Sequence, residues 1–409
     1  MFYGWRVLGI TLLTQALQAG LLIYAFGVII LPFAEEFDAS RETLMFASAL
    51  LSLSSNVISP FAGVQVDRRS LRGLMMFGAT MMALGFFALS QVRATWQILV
   101  VFALILPAGN LLLGQLTSSA LMTQWFHRLR GRAMGLSAIG TSIGGLTLPA
   151  LLAVLMQTYG WRTAFTIIGV AVLIVALPLI RLVVIDRPEQ AGLHPDGAQN
   201  AIRSEGTETS ADTRNWTMKE ILSSPVFWRV TITIGIVLSV YLALLANLVP
   251  HATDQGISTT TASLLMSILA VFAILGKLGF GLLADKIPLR NALWAAMLLM
   301  AAGLMVLLSS ASYVALSLAC GLLGLAAGGQ LPIWGALVAR GFGRESFGRA
   351  LGLMNPAMMP ITLVGPPLAG RVFDQTGSYD WAFQMFLAAL IVAAIVLAGL
   401  RLPALEQAA

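Results

Sequence analysis

The chain has 409 residues, 58% of them hydrophobic and only 10% charged, with a formal net charge of +6. A soluble globular domain carries about a quarter charged residues, so water is not the main solvent of this chain. The positive balance does not mark a nucleic-acid groove either, because Lys and Arg fall in short loops between apolar runs.

A hydrocarbon core about 30 Å thick takes roughly 20 apolar residues per helical span. Six such spans are expected near 7–32, 43–65, 73–91, 95–122, 133–157 and 163–184. The first is long enough to cross a bilayer and reads as a span, not as a cleavable leader. A polar stretch follows at 185–225, including "AQNAIRSEGTETSADTRN". It has too little apolar area to order itself and reads as a linker. Six further spans are expected near 226–250, 259–283, 290–309, 313–338, 349–371 and 381–402. The expected fold is an all-α membrane protein of twelve transmembrane helices. It divides into an N-terminal bundle (1–184), a cytoplasmic linker (185–225) and a C-terminal bundle (226–409).

The second half copies the first. "GVQVDRRSLR" (63–72) after span two matches "GLLADKIPLR" (281–290) after span eight. Each reads Gly, three residues, Asp, a cation, and an Arg five residues past the Asp. "RGRAMGL" (130–136) matches "FGRALGL" (347–353), and "GWRTAF" (160–165) matches "YDWAF" (379–383). The offsets are 218, 217 and 220 residues. Three marks in one order at nearly one spacing describe a duplicated six-helix unit.

Loop charge sets the expected orientation. One side carries eleven cations (Arg68, Arg69, Arg72, Arg128, Arg130, Arg132, Lys286, Arg290, Arg340, Arg344 and Arg349). The other carries four (Arg41, Arg93, Arg162 and Arg371), beside the acidic run "AEEFD". The bias places the first side and both termini in the cytoplasm of a cell with an inner membrane.

Two six-helix halves with a basic face and the Asp-plus-Arg loop in duplicate resemble the major facilitator superfamily of secondary transporters. That resemblance implies a substrate site near the bilayer midplane between the halves. It also implies that the loops latch the halves on the cytoplasmic side, with Asp67, Arg68, Arg72 and Arg132 in the first half and Asp285, Lys286, Arg290 and Arg349 in the second. A carboxylate at a helix end can pair with Arg or meet a neighbouring helix N-terminus. The alternative is a solvated loop that only sets topology.

Several stretches resemble the monocarboxylate-transporter branch and its bacterial relatives. They are "FYGWRVL" at the start, "YAFGVIILPFAEEFDASR" (24–41), "DRPEQAGLHPDG" (186–197), "TMKEILSSPVFW" (217–228) and "GPPLAGRVFDQTGSYDWAF" (365–383). The resemblance implies carriage of small carboxylates such as lactate and pyruvate, commonly with a proton, or exchange of oxalate for formate. Many members carry an arginine in span eight, four residues before the glycine of the Asp loop. Here that position is Lys277, ahead of Gly281, and the aspartate some members place four residues earlier is Ala273.

Lys277 lies eight residues before Asp285, about 12 Å along a helix. A cation at that depth costs at least about 2.5 kcal/mol and faces a cavity or a partner. The other spans hold no Asp or Glu at comparable depth, which leaves a substrate anion as the expected partner. Two other readings stand beside this one. The stem can snorkel to the headgroups, or the ammonium can be capped by carbonyls inside the bundle. Lysine is a point charge where arginine grips a carboxylate with two parallel hydrogen bonds. Unlike arginine, a buried lysine can lose its proton near neutral pH, so Lys277 is also the candidate proton carrier.

The rest of the binding site is expected to be neutral: Tyr24 in span one, Asn110 in span four, Gln330 and Trp334 in span ten, and Asn355 in span eleven. Gln330 and Trp334 are four apart and share a helix face. Asn56, Gln115 and Tyr241 are weaker candidates, since a lone polar residue in a span is more often a helix–helix hydrogen bond. His127, His194 and His251 read as solvated loop residues, and Cys320 as a small buried hydrophobe. "GTSIGG" (140–145) reads as tight helix packing, not as a phosphate loop, because no strand precedes it and no Lys-Ser follows. Met358 and Met359 read as packing at a moving interface. No metal, cofactor or catalytic group is expected.

The expected function is alternating-access transport of a small organic monocarboxylate with a proton, by a monomer. The alternatives are an anion exchanger, a multidrug exporter, which would need a membrane-depth carboxylate, and a transport-dead ligand sensor.

Overall fold

The computed structural model describes residues 2–39, 41–197, 214–309 and 312–400. Among them, eleven helices are long and apolar enough to cross a membrane. The first ten are α1 (Gly4–Tyr24), α2 (Thr43–Arg68), α3 (Leu71–Ser90), α4 (Thr95–Trp125), α5 (Arg130–Tyr159), α6 (Trp161–Val183), α7 (Pro225–Asp254), α8 (Leu264–Ala284), α9 (Leu289–Ser309) and α10 (Tyr313–Phe342). The span expected at 349–371 is broken. It consists of α11 (Phe347–Thr362) and, after Leu363 and Val364, a separate helix Gly365–Thr376. The last membrane-length helix, Asp380–Ala398, is α12.

Proline explains the break. Pro356 and Pro360 lie inside α11, and Pro366 and Pro367 open the helix that follows. Proline removes a backbone donor inside a helix but costs nothing in the first turn. Elsewhere the short loops start helices in the expected way. Ser70 and Ser312 place their hydroxyls 3.2 Å from the amides of Gly73 and Ala315, capping otherwise unpaired donors. Phe61, Leu104, Leu146, Leu182, Val314 and Ile395 are exposed on the outside of the bundle, where lipid is the solvent of a spanning helix.

At the arginine-rich end the two halves meet through two repeat-related helix pairs. Helix α2 packs on α11, and α8 packs on α5. A side chain at Gly281 of α8 would come 2.9 Å from the Gly131 carbonyl of α5. Its counterpart Gly63 of α2 faces the Gly348 carbonyl of α11 in the same way. Only a residue without a side chain permits backbones to approach so closely.

Two expectations are corrected. First, the polar stretch after α6 is not wholly a free linker. Its residues 198–213 lie outside the described residues, but 185–197 and 214–225 are ordered against the bundles. The first stretch is held by capping carboxylates, and the second by burial of Ile221 and by Trp216 edge-on to Phe342. Asp186 accepts the Arg72 amide at 2.7 Å. Asp196 accepts the amides of His127, Arg128 and Leu129 at 3.0, 2.6 and 3.2 Å. A carboxylate that neutralises several orphan N–H groups needs no hydrophobic core to hold it. Second, His251 is not a loop residue. It sits in the last turns of α7, 4% exposed, with Tyr379 and Phe383 edge-on to its ring and Gln255 2.9 Å from Nε2.

Candidate functional site

A cavity of about 320 Å³ opens between the halves. The first half contributes lining from α1, α4 and α5, and the second from α10 and α11. Tyr24, Asn110, Trp334 and Asn355 line it together, and so does Gln115. Gln330 does not. It is 4% exposed, its Nε2 is buried without a hydrogen-bond partner among the described residues, and it lies one turn from Trp334 behind the wall. A shared helix face places two residues on one side of α10 but does not fix which reaches the space. Asn56 is spent on its own helix, donating to the Ser52 carbonyl at 2.8 Å, and Tyr241 is not in the lining.

Local backbone features shape this wall. Helix α1 widens over Gly20–Tyr24, where the Ala25 amide reaches back to the Gly20 carbonyl at 2.9 Å. Such a turn adds a residue to the helix and marks functional sites more often than chance. Here it brings Ile23 and Tyr24 to the rim, both more than half exposed. The "GTSIGG" run packs α5 on α1 as expected: side chains at Gly140 and Gly144 would strike the Leu12 and Ala16 carbonyls.

The same run has a second role that the sequence did not reveal. Lys277, 6% exposed on α8, places its Nζ 2.6 Å from Thr141 Oγ1 and 2.6 Å from Ser142 Oγ, both on α5. Thr141 lines the cavity and Lys277 does not. The ammonium therefore stands one hydroxyl behind the wall, bridging the second half to the first. An ammonium has three donors and no acceptor. Two are taken here, and the third has no partner among the described residues. None of the fourteen lining residues carries a formal charge. The arrangement can hold one negative charge beside the cavity, and only on that side.

Hydrogen bonds fix the polar wall. Gln18 Nε2 donates to Asn110 Oδ1 at 2.6 Å, and Asn110 Nδ2 donates to Ser55 Oγ at 3.0 Å. Asn355 Nδ2 of α11 donates to Ser59 Oγ of α2 at 2.8 Å, a link between the halves. Gln15 Nε2 donates to Ser137 Oγ at 2.6 Å, and that hydroxyl donates on to Thr11. The Trp334 indole N–H is directed at Met354 Sδ, 3.3 Å away, so toward the cavity Trp334 offers a ring face. Gln15, Gln18, Ser55 and Ser59 were not singled out from the sequence, since one polar residue in a span looks like any other until its neighbours are known.

The arginine-rich end is closed by two related contacts of unequal strength. Asp67, at the end of α2, accepts the amides of Gly348 and Arg349 at 2.7 and 3.0 Å and Arg349 Nε at 2.7 Å. Its side chain is 1% exposed and that of Arg349 is 9% exposed. Arg349 also donates to the Trp216 and Glu345 carbonyls and to the Asn215 side chain. Asp285, just past α8, accepts the amides of Gly131 and Arg132 at 2.6 and 3.0 Å. Its guanidinium partner Arg132 stands 3.6 Å away with a side chain 38% exposed, too far for a hydrogen bond. Burial pushes the Asp285 carboxyl above its usual range, against the opposing pull of the Arg132 and Gly131 amides and the Arg132 charge. Of the other residues expected in the latch, Arg68, Arg72, Lys286 and Arg290 are exposed. The contacts fall to Arg132 and Arg349 because those residues open α5 and α11, where the capped amides also are.

The ordered ends of the linker join this closure. Arg187 Nη2 meets Glu345 Oε2 at 3.2 Å, and Arg344 Nη1 meets Glu189 Oε1 at 3.2 Å. Both pairs tie the segment after α6 to the loop between α10 and α11.

The family model described as Major Facilitator Superfamily matches residues 12–251 and 242–408. Among curated proteins the chain is similar to monocarboxylate transporter 11 of Mus musculus, 26% identical over 407 residues, covering 97% of this chain and 87% of that protein. Among solved structures it is similar to the proton:xylose symporter XylE bound to 6-bromo-6-deoxy-D-glucose, with a TM-score of 0.77 and 14% identity over 99% of this chain and 97% of that one. It is also similar to the human organic anion transporter MFSD10, with a TM-score of 0.73 and 16% identity over 97% and 100%. At these identities the two structures establish the fold.

Proposed function

The chain belongs to the major facilitator superfamily, and from that premise we propose that it carries a small organic monocarboxylate across the cytoplasmic membrane by alternating access, together with a proton. It is a transporter and not an enzyme. The arginine-rich end and both termini face the cytoplasm, so the arrangement described is closed inward. The observation that carries this reading is the position of Lys277 Nζ, buried between the halves and held by two neutral hydroxyls beside a charge-free cavity. An intramembrane cation without a protein counter-ion is costly, and a carboxylate in the cavity supplies the missing charge. The curated relatives are monocarboxylate transporters, which supports the same class.

The coupling follows from where the ammonium stands. Ligand binding shifts an equilibrium only through contacts that differ between states. A substrate whose carboxylate draws the third Lys277 donor forward while its body touches Asn110 and Asn355 contacts both halves at once. With no lining carboxylate or histidine, Lys277 is the candidate for the coupled proton. That same absence favours a second reading, anion exchange of the oxalate–formate kind, which needs no proton carrier. Uptake of labelled lactate, pyruvate, formate and oxalate into proteoliposomes decides between them. Flux driven by an inward proton gradient supports symport, and flux that requires internal anion supports exchange. The absence of any carboxylate flux under either condition overturns both.

A further inference from the structure

The cavity wall carries more hydrogen-bonding chemistry than a plain carboxylate can use. Five carboxamides line it: Gln15, Gln18, Asn110, Gln115 and Asn355. Each has two N–H donors and an acceptor; Gln15, Gln18, Asn110 and Asn355 each spend one N–H on a neighbour and keep a second. A carboxylate only accepts, and one cation with one or two donors satisfies it. An alkyl tail laid along the remaining amides would strip their water and return nothing, at about 1–3 kcal/mol for each buried group left unpaired.

Gln115 makes the surplus concrete. Its Nε2 is buried with no hydrogen-bond partner among the described residues, although Gln115 lines the cavity. Buried donors are nearly always paired, and a turn of this amide toward the cavity would let an entering hydroxyl pair it. The volume points the same way. At about 320 Å³ the cavity falls within the range of about 300–1,000 Å³ typical of small-molecule sites, and a three-carbon acid would fill little of it. Trp334, Leu331 and Leu351 give one apolar wall suited to C–H faces.

We propose that the substrate is a polyhydroxylated monocarboxylic acid of the aldonate class, its carboxylate at the Lys277 ammonium and its hydroxyls on the carboxamides of α1, α4 and α11. This rests on the monocarboxylate reading above and narrows it. A dicarboxylate is disfavoured because no second cation reaches the cavity and a second buried charge costs several kcal/mol. An amino acid is disfavoured because the lining holds no carboxylate for its ammonium.

The test is uptake of labelled D-gluconate, hexanoate and L-lactate by the full chain in proteoliposomes. Gluconate is expected to be carried with kcat/KM about tenfold or more above hexanoate, the effect of one or more well-placed hydrogen bonds. Gln115→Leu is expected to lower the gluconate value about tenfold and to leave hexanoate unchanged or improved, which also reports that the variant is folded. Hexanoate carried as well as gluconate, lactate preferred over gluconate, or Gln115→Leu losing all acids in parallel would each overturn the aldonate class while leaving monocarboxylate transport standing. Flux of none of the acids would overturn the transport reading on which the class depends.

Discussion

Lys277 Nζ on α8 lies 2.6 Å from Thr141 Oγ1 on α5, so the one cation buried at membrane depth among the described residues is shared between the two halves of the molecule. The contact is polar but uncharged on the α5 side. It holds the ammonium in place without neutralising it.

Replacing Lys277 by Met is therefore expected to abolish uptake, by about 100-fold or more, while leaving the melting temperature in detergent unchanged or raised. The charge is a net cost to the fold, at least about 2.5 kcal/mol before its hydrogen bonds are counted. A drop in melting temperature with flux retained would mean that the lysine serves structure alone. Lys277→Arg separates the two roles of the group. Anion binding should persist, whereas proton stoichiometry should fall, because arginine does not release its proton. A pH-dye measurement in the same vesicles reads it.

The unequal closure of the arginine-rich end gives an unequal pair of mutants. Arg349→Ala leaves Asp67 buried against α11 without its guanidinium, and loss of one partner of a buried pair costs about 3–5 kcal/mol. Arg132→Ala removes a half-exposed partner and should cost about 0–1 kcal/mol. Thermal unfolding of the two variants side by side checks the order. Equal losses would contradict the geometry.

Asp196 holds three successive amides at the entry to α5 and itself adopts a left-handed backbone, with φ of 57°. Asp196→Ala should expose that turn to hydrogen exchange and destabilise the fold by about 2 kcal/mol, the scale of one charged hydrogen bond. Asp196→Asn should do less, since its one carbonyl oxygen still accepts part of the set and Asn tolerates the same backbone. Faster exchange at His127, Arg128 and Leu129 in the Ala variant is the expected signal.

A pH effect follows from the helix Met218–Ser223 that leads into α7. Thr217 and Glu220 cap it reciprocally. Hydrogen bonds from the Thr217 amide and hydroxyl, then from Arg214, hold the Glu220 carboxyl down at about 2, against an ordinary value of 4.5. A depressed carboxylate stabilises above its unfolded value and loses that contribution as pH falls through the folded one. The cap should thus be intact at pH 5 and lost progressively between about 4.5 and 2, as followed by Ile221 amide exchange. Glu220→Gln should flatten this window.

How much of the site was legible differs residue by residue. Lys277 was plain in the sequence, because a cation inside an apolar run stands out whatever surrounds it. Tyr24, Asn110, Trp334 and Asn355 were found as polar or aromatic residues at depth, and the cavity gathers them. Gln330 met the same criterion and is walled off, because helical spacing gives a face and not a neighbour. Thr141 and Ser142 were hidden inside a run whose glycines gave a sufficient packing reason of their own. The linker was misread in part because its first ordered stretch is held by Asp186 and Asp196 on helix N-termini, a stabilisation that hydrophobic content does not register.

The sequence by itself determined the solvent, the helical class, the duplication and the depth of the buried charge. These depend on composition, period and spacing along the chain, which are local. Only the tertiary structure decided which half receives the Lys277 ammonium, which carboxamides share a wall, and which of the two aspartate contacts is sealed. Those are distances between helices remote in sequence, set by where glycine lets backbones touch and where proline breaks a span. No pattern within a single helix encodes them.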